Sequence, residues 1–203
     1  MKIIEPYHEI IDNIDGESLL KKIELMGRTA YKSENTISDN SYLKFIKLII
    51  SKKHYSVIEH VSISVKVVCD RAISHEIVRH RIASYTQEST RYCNYSNDKF
   101  SNEITVIKPI ELSIAEEKIW KKAMEFCENS YFKLLHIGCS PQMARSVLPN
   151  SLKTEINITM NLREWIHFFE LRTSPAAHPQ IRFISKNILR DFKSKIPIIF
   201  DEI

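Results

Sequence analysis

The clearest alternation of apolar and polar residues lies between residues 61 and 69. This period of two predicts a β-strand with one buried face, formed by Val61, Ile63, Val65, Val67 and Cys69. A second alternating segment spans 154–160, and weaker ones span 1–11 and 103–107. The sequence therefore predicts several short strands, each with one apolar face.

Apolar residues at helical spacing predict helices between these strands. Asp70, Ser113 and Asn161 are expected N-caps, and Ser113 forms a capping box with Glu116. We expect the long apolar stripe after Ser113 to lie in the core and Gly138 to end that helix. The predicted helices cover residues 17–30, 42–51, a segment from 71, 114–137, 141–147, 162–172 and 180–192.

Strands that alternate with helices and keep one polar face favour an α+β fold. We expect an antiparallel or mixed central sheet flanked by helices, in a single domain over residues 1–203. A hydrophobic content of 43% and a charged content of 27% are ordinary for a globular protein of this length. The composition therefore agrees with one packed core.

The charge pattern and special residues narrow the classes of function. The net charge of +4 does not indicate a dedicated nucleic-acid binder, so a basic site must come from local clustering of charges. No apolar run has the length of a membrane span. The first residues lack the pattern of a signal peptide, so we expect a cytoplasmic protein. The three glycines form neither GxGxxG nor a P-loop. Four cysteines without a CxxC pair indicate reduced thiols.

The densest cluster of polar side chains is residues 79–92, RHRIASYTQESTRY. We expect it to begin on the last turn of the helix from Arg71 and to continue as a loop. Unpaired guanidinium groups are too costly for a packed core, and their planar forks suit phosphate and carboxylate oxygens. The cluster therefore favours a site for an anionic ligand such as a nucleotide. A basic surface loop or a contact between subunits explains the same composition.

Neither a metal site nor a reactive cysteine is expected. His75 and His80 diverge on a helix, and the sequence contains no HExxH motif. Among the cysteines, only Cys93 has cationic neighbours in sequence, which is weak support for a nucleophile.

Four sequence blocks resemble the flavin-dependent thymidylate synthases. The first is Arg79-His80-Arg81, then seven residues, then Ser89, followed by Arg91-Tyr92. The others are HYSVIEH at 54–60, QMARSVLP at 142–149 and NLREWIHFFELR at 161–172. They occur in the family's order and at similar spacing, and the resemblance covers roughly residues 50 to 185.

The resemblance implies an enzyme that converts dUMP to dTMP. In this family methylenetetrahydrofolate supplies the carbon, NADPH reduces a bound FAD that supplies the hydride, and tetrahydrofolate is released. No cysteine attacks the pyrimidine. The active site is built between subunits of a homotetramer, so the expected partners are dUMP, folate, NADPH and further copies of the chain, without nucleic acid or membrane.

The same resemblance assigns individual residues. Arg172 is the expected catalytic residue, because a guanidinium beside the uracil stabilises negative charge at N3 and O2. The implied FAD contacts are Ser56, Arg79, His80, Arg81, Gln87, Asn161, Arg163 and His167. The implied dUMP contacts are Glu76, Arg79, Gln87, Glu88, Ser89, Arg91, Arg145 and Arg172.

The sequence departs from the family pattern at three places. Thr86-Gln87-Glu88 replaces an Asn-Glu-x order, and Glu76 stands where some members have glutamine. The turn at 175–178 has a different spacing, which leaves His178 as a candidate flavin contact only.

Two other functions stay open at this stage. A small nucleic-acid-binding module would use the same arginines and would bind in a salt-sensitive way. A relative without turnover would keep the nucleotide and flavin sites. Loss of activity on substitution of Arg172 separates the synthase from this last alternative.

Overall fold

The computed structural model describes residues 1–201 and 203, with the backbone alone at Lys99. Within these residues, the β-strands are β1 Lys2–Ile4, β2 Tyr7–Ile10, β3 Ser62–Asp70, β4 Ala83–Gln87, β5 Thr105–Ile107 and β6 Lys153–Asn161. The α-helices are α1 Gly16–Arg28, α2 Ser41–Ser51, α3 Arg71–Ile77, α4 Ile114–His136, α5 Pro141–Ala144, α6 Leu162–Arg172, α7 Pro179–Lys195 and α8 Pro197–Phe200. Short 3₁₀ helices cover Thr29–Tyr31, Glu34–Thr36, Tyr55–His60, Asp98–Phe100 and Arg145–Val147.

The strands form two sheets. The larger one is antiparallel, with the order β2-β3-β6-β4. The smaller one pairs β1 with β5 in parallel, and Lys2 lies opposite Thr105. The prediction of an α+β fold is confirmed, and the predicted buried face of β3 is buried throughout.

The chain forms two compact units, neither of which is continuous in sequence. Unit 1 consists of Met1–Tyr7, Val67–Arg79 and Thr86–Ile156. Unit 2 consists of His8–Lys66, His80–Tyr85 and Asn157–Ile203. The single domain over residues 1–203 stays a prediction.

Unit 1 has a core of aliphatic and aromatic residues that includes Tyr95, Val106, Tyr131 and Leu152. Its helix α4 begins at the predicted capping box, in which Ser113 Oγ accepts a hydrogen bond from the backbone N–H of Glu116 at 3.3 Å. The helix ends before Gly138, whose φ of +90° is a backbone conformation that favours glycine.

The prediction that the whole apolar stripe of α4 is core is wrong. Met124 and Tyr131 are buried, whereas Ile114 is 78% exposed and Ile119 is 72% exposed. The core of unit 1 covers only part of the stripe, so helical spacing alone overstated its burial.

Unit 2 is built around the aromatic side chains of α6 and α7. Trp165 is buried, stacks on Phe169 with the ring centroids 5.6 Å apart, and meets the edge of Phe192. Its indole Nε1–H donates to the carbonyl of Ile63 at 3.1 Å. The start of α6 is fixed by Asn161, whose side-chain oxygen accepts a hydrogen bond from the N–H of Glu164 at 2.9 Å.

The cluster at residues 79–92 differs from its predicted form. The helix α3, capped by Asp70 as predicted, already ends at Ile77, so Arg79 lies beyond it. Residues 83–87 then form the edge strand β4 where a loop was expected. The short β-forming run around Tyr85 was obscured by the charged residues on both sides of it.

Among the described residues, no helix is both long enough and apolar enough to cross a membrane.

Candidate functional site

In unit 2, the predicted site residues His80 and Arg172 are hydrogen-bonded to each other. His80 is only 3% exposed, and its Nε2 atom accepts a hydrogen bond from the Nε–H of Arg172 at 3.0 Å. Because an arginine nitrogen can only donate, Nε2 carries no proton and the proton of a neutral ring lies on Nδ1. The Tyr85 hydroxyl donates to the backbone carbonyl of His80 at 2.6 Å and helps to hold this segment.

The imidazole of His80 is neutral at physiological pH. Burial lowers the pKa of His80 to about 4, and the nearby positive charge of Arg172 and the ring of His167 act in the same direction. A neutral imidazole is the form that can accept from Arg172, so the hydrogen bond and the pKa agree.

Glu164 is a buried carboxylate that faces the other side of this imidazole. Its Oε1 atom lies 3.5 Å from Nδ1 of His80. Among the residues that the structure describes, Nδ1 makes no hydrogen bond. The contact with Glu164 is slightly too long for a hydrogen bond and is therefore an electrostatic one. Burial raises the pKa of Glu164, while His167 and Arg163 oppose the shift.

Beside this group lies a cavity of about 470 Å³ whose lining comes from unit 2. Three of the predicted flavin residues, Asn161, Arg163 and His167, line it. The Arg163 guanidinium donates to Glu59 at 2.6 Å, which fixes one wall. The cavity has the size of a small-molecule site, and its amide, guanidinium and ring groups suit the polar edge of a flavin or part of a nucleotide.

The nitrogen and oxygen atoms of His80, Glu164 and His167 lie within 4.8 Å of one another, as in a metal site. The tautomer of His80 disfavours a metal there, because Nδ1 carries the proton and Nε2 already accepts from Arg172. The expectation that the protein binds no metal stays a prediction.

Unit 1 holds Gln87 and Glu88 in side-chain networks. The amide nitrogen of Gln87 donates to Ser74 Oγ at 2.9 Å and to Thr154 Oγ1 at 3.1 Å. The carboxylate of Glu88 accepts from the Tyr95 hydroxyl at 2.9 Å and from Lys153 Nζ at 3.0 Å. Both oxygens of Glu88 are therefore already engaged by neighbouring side chains.

The loop after Glu88 carries two predicted phosphate partners. Arg145 donates from a terminal nitrogen to Thr90 Oγ1 at 3.3 Å, which brings this predicted residue to the loop. Ser89 Oγ accepts from the backbone N–H of Arg91 at 3.3 Å, and the Arg91 guanidinium lies 5.4 Å from the ring centre of Tyr92. Arg91 and Arg145 are both exposed and accessible to an anion.

The remaining predicted residues are more dispersed. Arg79 follows α3 in unit 1, where Glu76 is half-buried on the helix. Ser56 and Arg81 are exposed in unit 2. In the described part of the chain, the side chains of Arg79, Arg81 and Ser56 make no hydrogen bond to another predicted site residue.

Sequence reasoning missed Glu164 and Tyr85. Glu164 stands three residues after the N-cap Asn161, the usual place of a capping glutamate, and was considered only in that role. Its burial was not visible in the sequence. Tyr85 was predicted to lie in a loop. In the structure it belongs to the strand β4, and its hydroxyl donates to the backbone carbonyl of His80.

Comparisons with known proteins identify the family. The family described as thymidylate synthase complementing protein matches residues 10–198. The flavin-dependent thymidylate synthase of Geobacter sulfurreducens is 37% identical over 187 residues, which cover 88% of this chain and 79% of the relative. That of Pyrococcus furiosus is 33% identical over 174 residues, covering 85% and 71%.

A solved structure supports the same fold. The crystal structure of a UMP/dUMP methylase, PolB from Streptomyces cacaoi, bound with 5-Br dUMP, superposes with a TM-score of 0.80 and covers 99% of this chain and 96% of that one. At 21% identity this likeness is evidence of the fold alone. The family match and the two relatives carry the assignment: the chain belongs to the flavin-dependent thymidylate synthases, a family of enzymes.

Proposed function

We propose that the protein catalyses the reductive methylation of dUMP to dTMP. Methylenetetrahydrofolate supplies the carbon, NADPH is the reductant, FAD is the cofactor, and tetrahydrofolate and NADP⁺ are released. The observation that carries the proposal is the hydrogen bond between buried, neutral His80 and half-buried Arg172 of α6. His80 lies against Glu164 and His167, which line the cavity together with Asn161 and Arg163. The names of the relatives supply the reaction.

The residues proposed to hold the flavin fit such a group in unit 2. Asn161 and Arg163 offer donors to carbonyl and phosphate oxygens, and His167 offers a ring for stacking, all at one cavity. The flavin supplies the hydride, and the chain binds and orients it. The full proposed set is Ser56, Arg79, His80, Arg81, Gln87, Asn161, Arg163 and His167.

For the substrate, we assign the uracil to Arg172 and the phosphate to Arg91 and Arg145. A positive charge at N3 and O2 of the base stabilises the negative charge that makes C5 a carbon nucleophile. The exposed guanidinium groups of Arg91 and Arg145 suit a phosphate dianion. The other proposed substrate contacts are Glu76, Arg79, Gln87, Glu88 and Ser89.

The proposed reaction uses no cysteine nucleophile. Cys69 is buried on β3, and burial raises the pKa of its thiol far above the physiological range. The Cys69 thiol therefore stays protonated at neutral pH and is a poor nucleophile.

We further propose a homotetramer in the cytoplasm, in which α4 contributes to a contact between subunits. Ile119 and Phe126 of α4, and Ile137 directly after its end, recur at helical spacing, and each is more than 70% exposed. An aligned row of large apolar residues is typical of a contact surface. Sedimentation analysis of the wild type and of Phe126→Glu tests this: dissociation of a wild-type tetramer by the substitution supports it, and a wild-type monomer contradicts it.

The reaction itself is tested by leaving out one component of the assay mixture at a time. The purified protein is incubated with FAD, NADPH, dUMP and methylenetetrahydrofolate, and dTMP is measured by chromatography. We expect dTMP only when all four are present. Arg172→Ala should lose activity, whereas Arg190→Ala, which removes the same charge from a side chain that is 72% exposed on α7, should not. Absence of dTMP from the complete mixture contradicts the proposal.

A further inference from the structure

We propose that Glu164 is a positioning residue, which acts through His80 to hold the guanidinium of Arg172. Glu164 is not among the residues that the family resemblance assigns to the flavin or to dUMP. The inference rests on the proposed function only for what Arg172 does afterwards. The arrangement itself lies entirely in unit 2.

Glu164 and Arg172 contact the two different ring nitrogens of His80. The Glu164 carboxyl lies 3.5 Å from Nδ1, and Nε2 accepts from Arg172 at 3.0 Å. Glu164 and His80 are both buried, so their interaction is little screened by solvent. A negative charge facing Nδ1 attracts its proton and favours the tautomer in which Nε2 is an acceptor.

The other tautomer breaks the contact with Arg172. With the proton on Nε2, two N–H donors face each other at a distance of 3.0 Å, and neither has an acceptor there. Two donors in contact beside a buried ring are unfavourable, so the Nε–H of Arg172 would turn away from the ring. The choice of tautomer therefore decides whether Arg172 is held against His80.

Apart from Arg172 itself, whose Nε–H donates to Nε2, the other groups around His80 do not provide this selection. Tyr85 contacts the backbone carbonyl of His80, and burial raises the pKa of its phenol to about 12, so it stays neutral. The ring of Phe168 is apolar, at 4.8 Å between centroids, and the ring of His167 lies at 5.7 Å. In the described part of the chain, Glu164 is the acidic residue that the structure brings against Nδ1.

The tautomer of His80 can be measured directly by ¹⁵N NMR of protein with labelled histidine, in which protonated and unprotonated ring nitrogens have distinct shifts. A His80→Gln variant assigns the signals. We expect the wild type to carry its proton on Nδ1. In Glu164→Leu, which keeps the side-chain size without the charge, His80 should shift to a mixture of tautomers.

Two further variants keep the experiment decisive. Glu164→Gln is milder, because its amide can either accept from or donate to Nδ1, and it should shift the signals in the same direction to a smaller extent. The Asn161 side chain accepts from the backbone N–H of residue 164, so this helix cap is retained in both Glu164→Leu and Glu164→Gln. Glu170→Gln removes an exposed charge from the same helix and should leave the tautomer of His80 unchanged. Unchanged signals in every folded Glu164 variant overturn the proposal.

Kinetics then test the consequence for Arg172. Glu164→Leu should lower kcat by up to about a hundredfold, the scale of a misplaced catalytic group, with a smaller change in the KM for dUMP. In an Arg172→Ala background the same substitution should have no further effect on kcat. An equal effect in both backgrounds contradicts the proposal. The NMR measurement needs no turnover, so failure of the proposed reaction is recognised separately.

Discussion

Replacing His80 with glutamine is expected to make the stability of the protein less sensitive to acid. Burial lowers the pKa of His80 from 6.5 to about 4 in the folded protein, while the unfolded chain keeps the ordinary value. As the pH falls below 6.5, the unfolded state therefore takes up a proton before the folded state does. Stability that is fully present above this pH is lost as the pH falls towards 4.

The size of the effect follows from the shift in pKa. A difference of this size is linked to about 3 kcal/mol of unfolding free energy in total, of which about 2 kcal/mol is lost between about pH 7.5 and about pH 5. Glu164 acts in the opposite direction, because burial raises the pKa of its carboxyl and protonation favours its folded state. The informative quantity is therefore the difference between the wild type and His80→Gln, in which the contribution of Glu164 largely cancels.

Urea unfolding at the two pH values, followed by circular dichroism, measures this difference. The wild type should lose about 2 kcal/mol more than His80→Gln on acidification. Glutamine is a suitable replacement because its amide oxygen can still accept from Arg172. If the two proteins lose the same stability, His80 is not a buried neutral histidine and the reasoning about its tautomer fails.

Three further substitutions have definite expected outcomes. Arg172→Ala should lower dUMP-dependent turnover by about 10²–10³ while flavin stays bound, as shown by steady-state kinetics and the flavin spectrum. Trp165→Phe should reduce the free energy of unfolding by about 1–3 kcal/mol in urea titrations, because the carbonyl of Ile63 loses its buried donor. Gly16→Ala should lower the melting temperature although alanine favours helices, because a Cβ there would lie only 1.9 Å from the carbonyl oxygen of Lys195. An unchanged melting temperature would contradict that close approach.

The boundaries of helices could be predicted because they depend on neighbouring residues. The caps at Asp70, Ser113 and Asn161 each involve a backbone N–H three residues further along, so a short stretch of sequence specifies them. The edge strand β4 was missed because its pairing partner is distant in sequence. The exposure of Ile119 was missed because helical spacing reports which residues share a face, and not what covers that face.

In the site, too, local motifs could be identified from the sequence, whereas contacts between distant residues could not. The resemblance pointed to His80 and Arg172, and the structure adds that they are hydrogen-bonded although they are 92 positions apart. The burial of Glu164 depends on how α6 packs, which no local pattern indicates. Likewise, the pairing of Glu88 with Lys153 joins residues 65 positions apart and could not be inferred from the motif around Glu88.

The most direct test of the proposed function is the reduction of bound flavin. The purified protein is loaded with FAD under anaerobic conditions, NADPH is added, and the loss of flavin absorbance is followed with and without dUMP. We expect the flavin to bind and its reduction to depend on dUMP. A protein that binds no flavin would contradict the account, and the exposed arginines would then be reconsidered as contacts to a nucleic acid or another subunit.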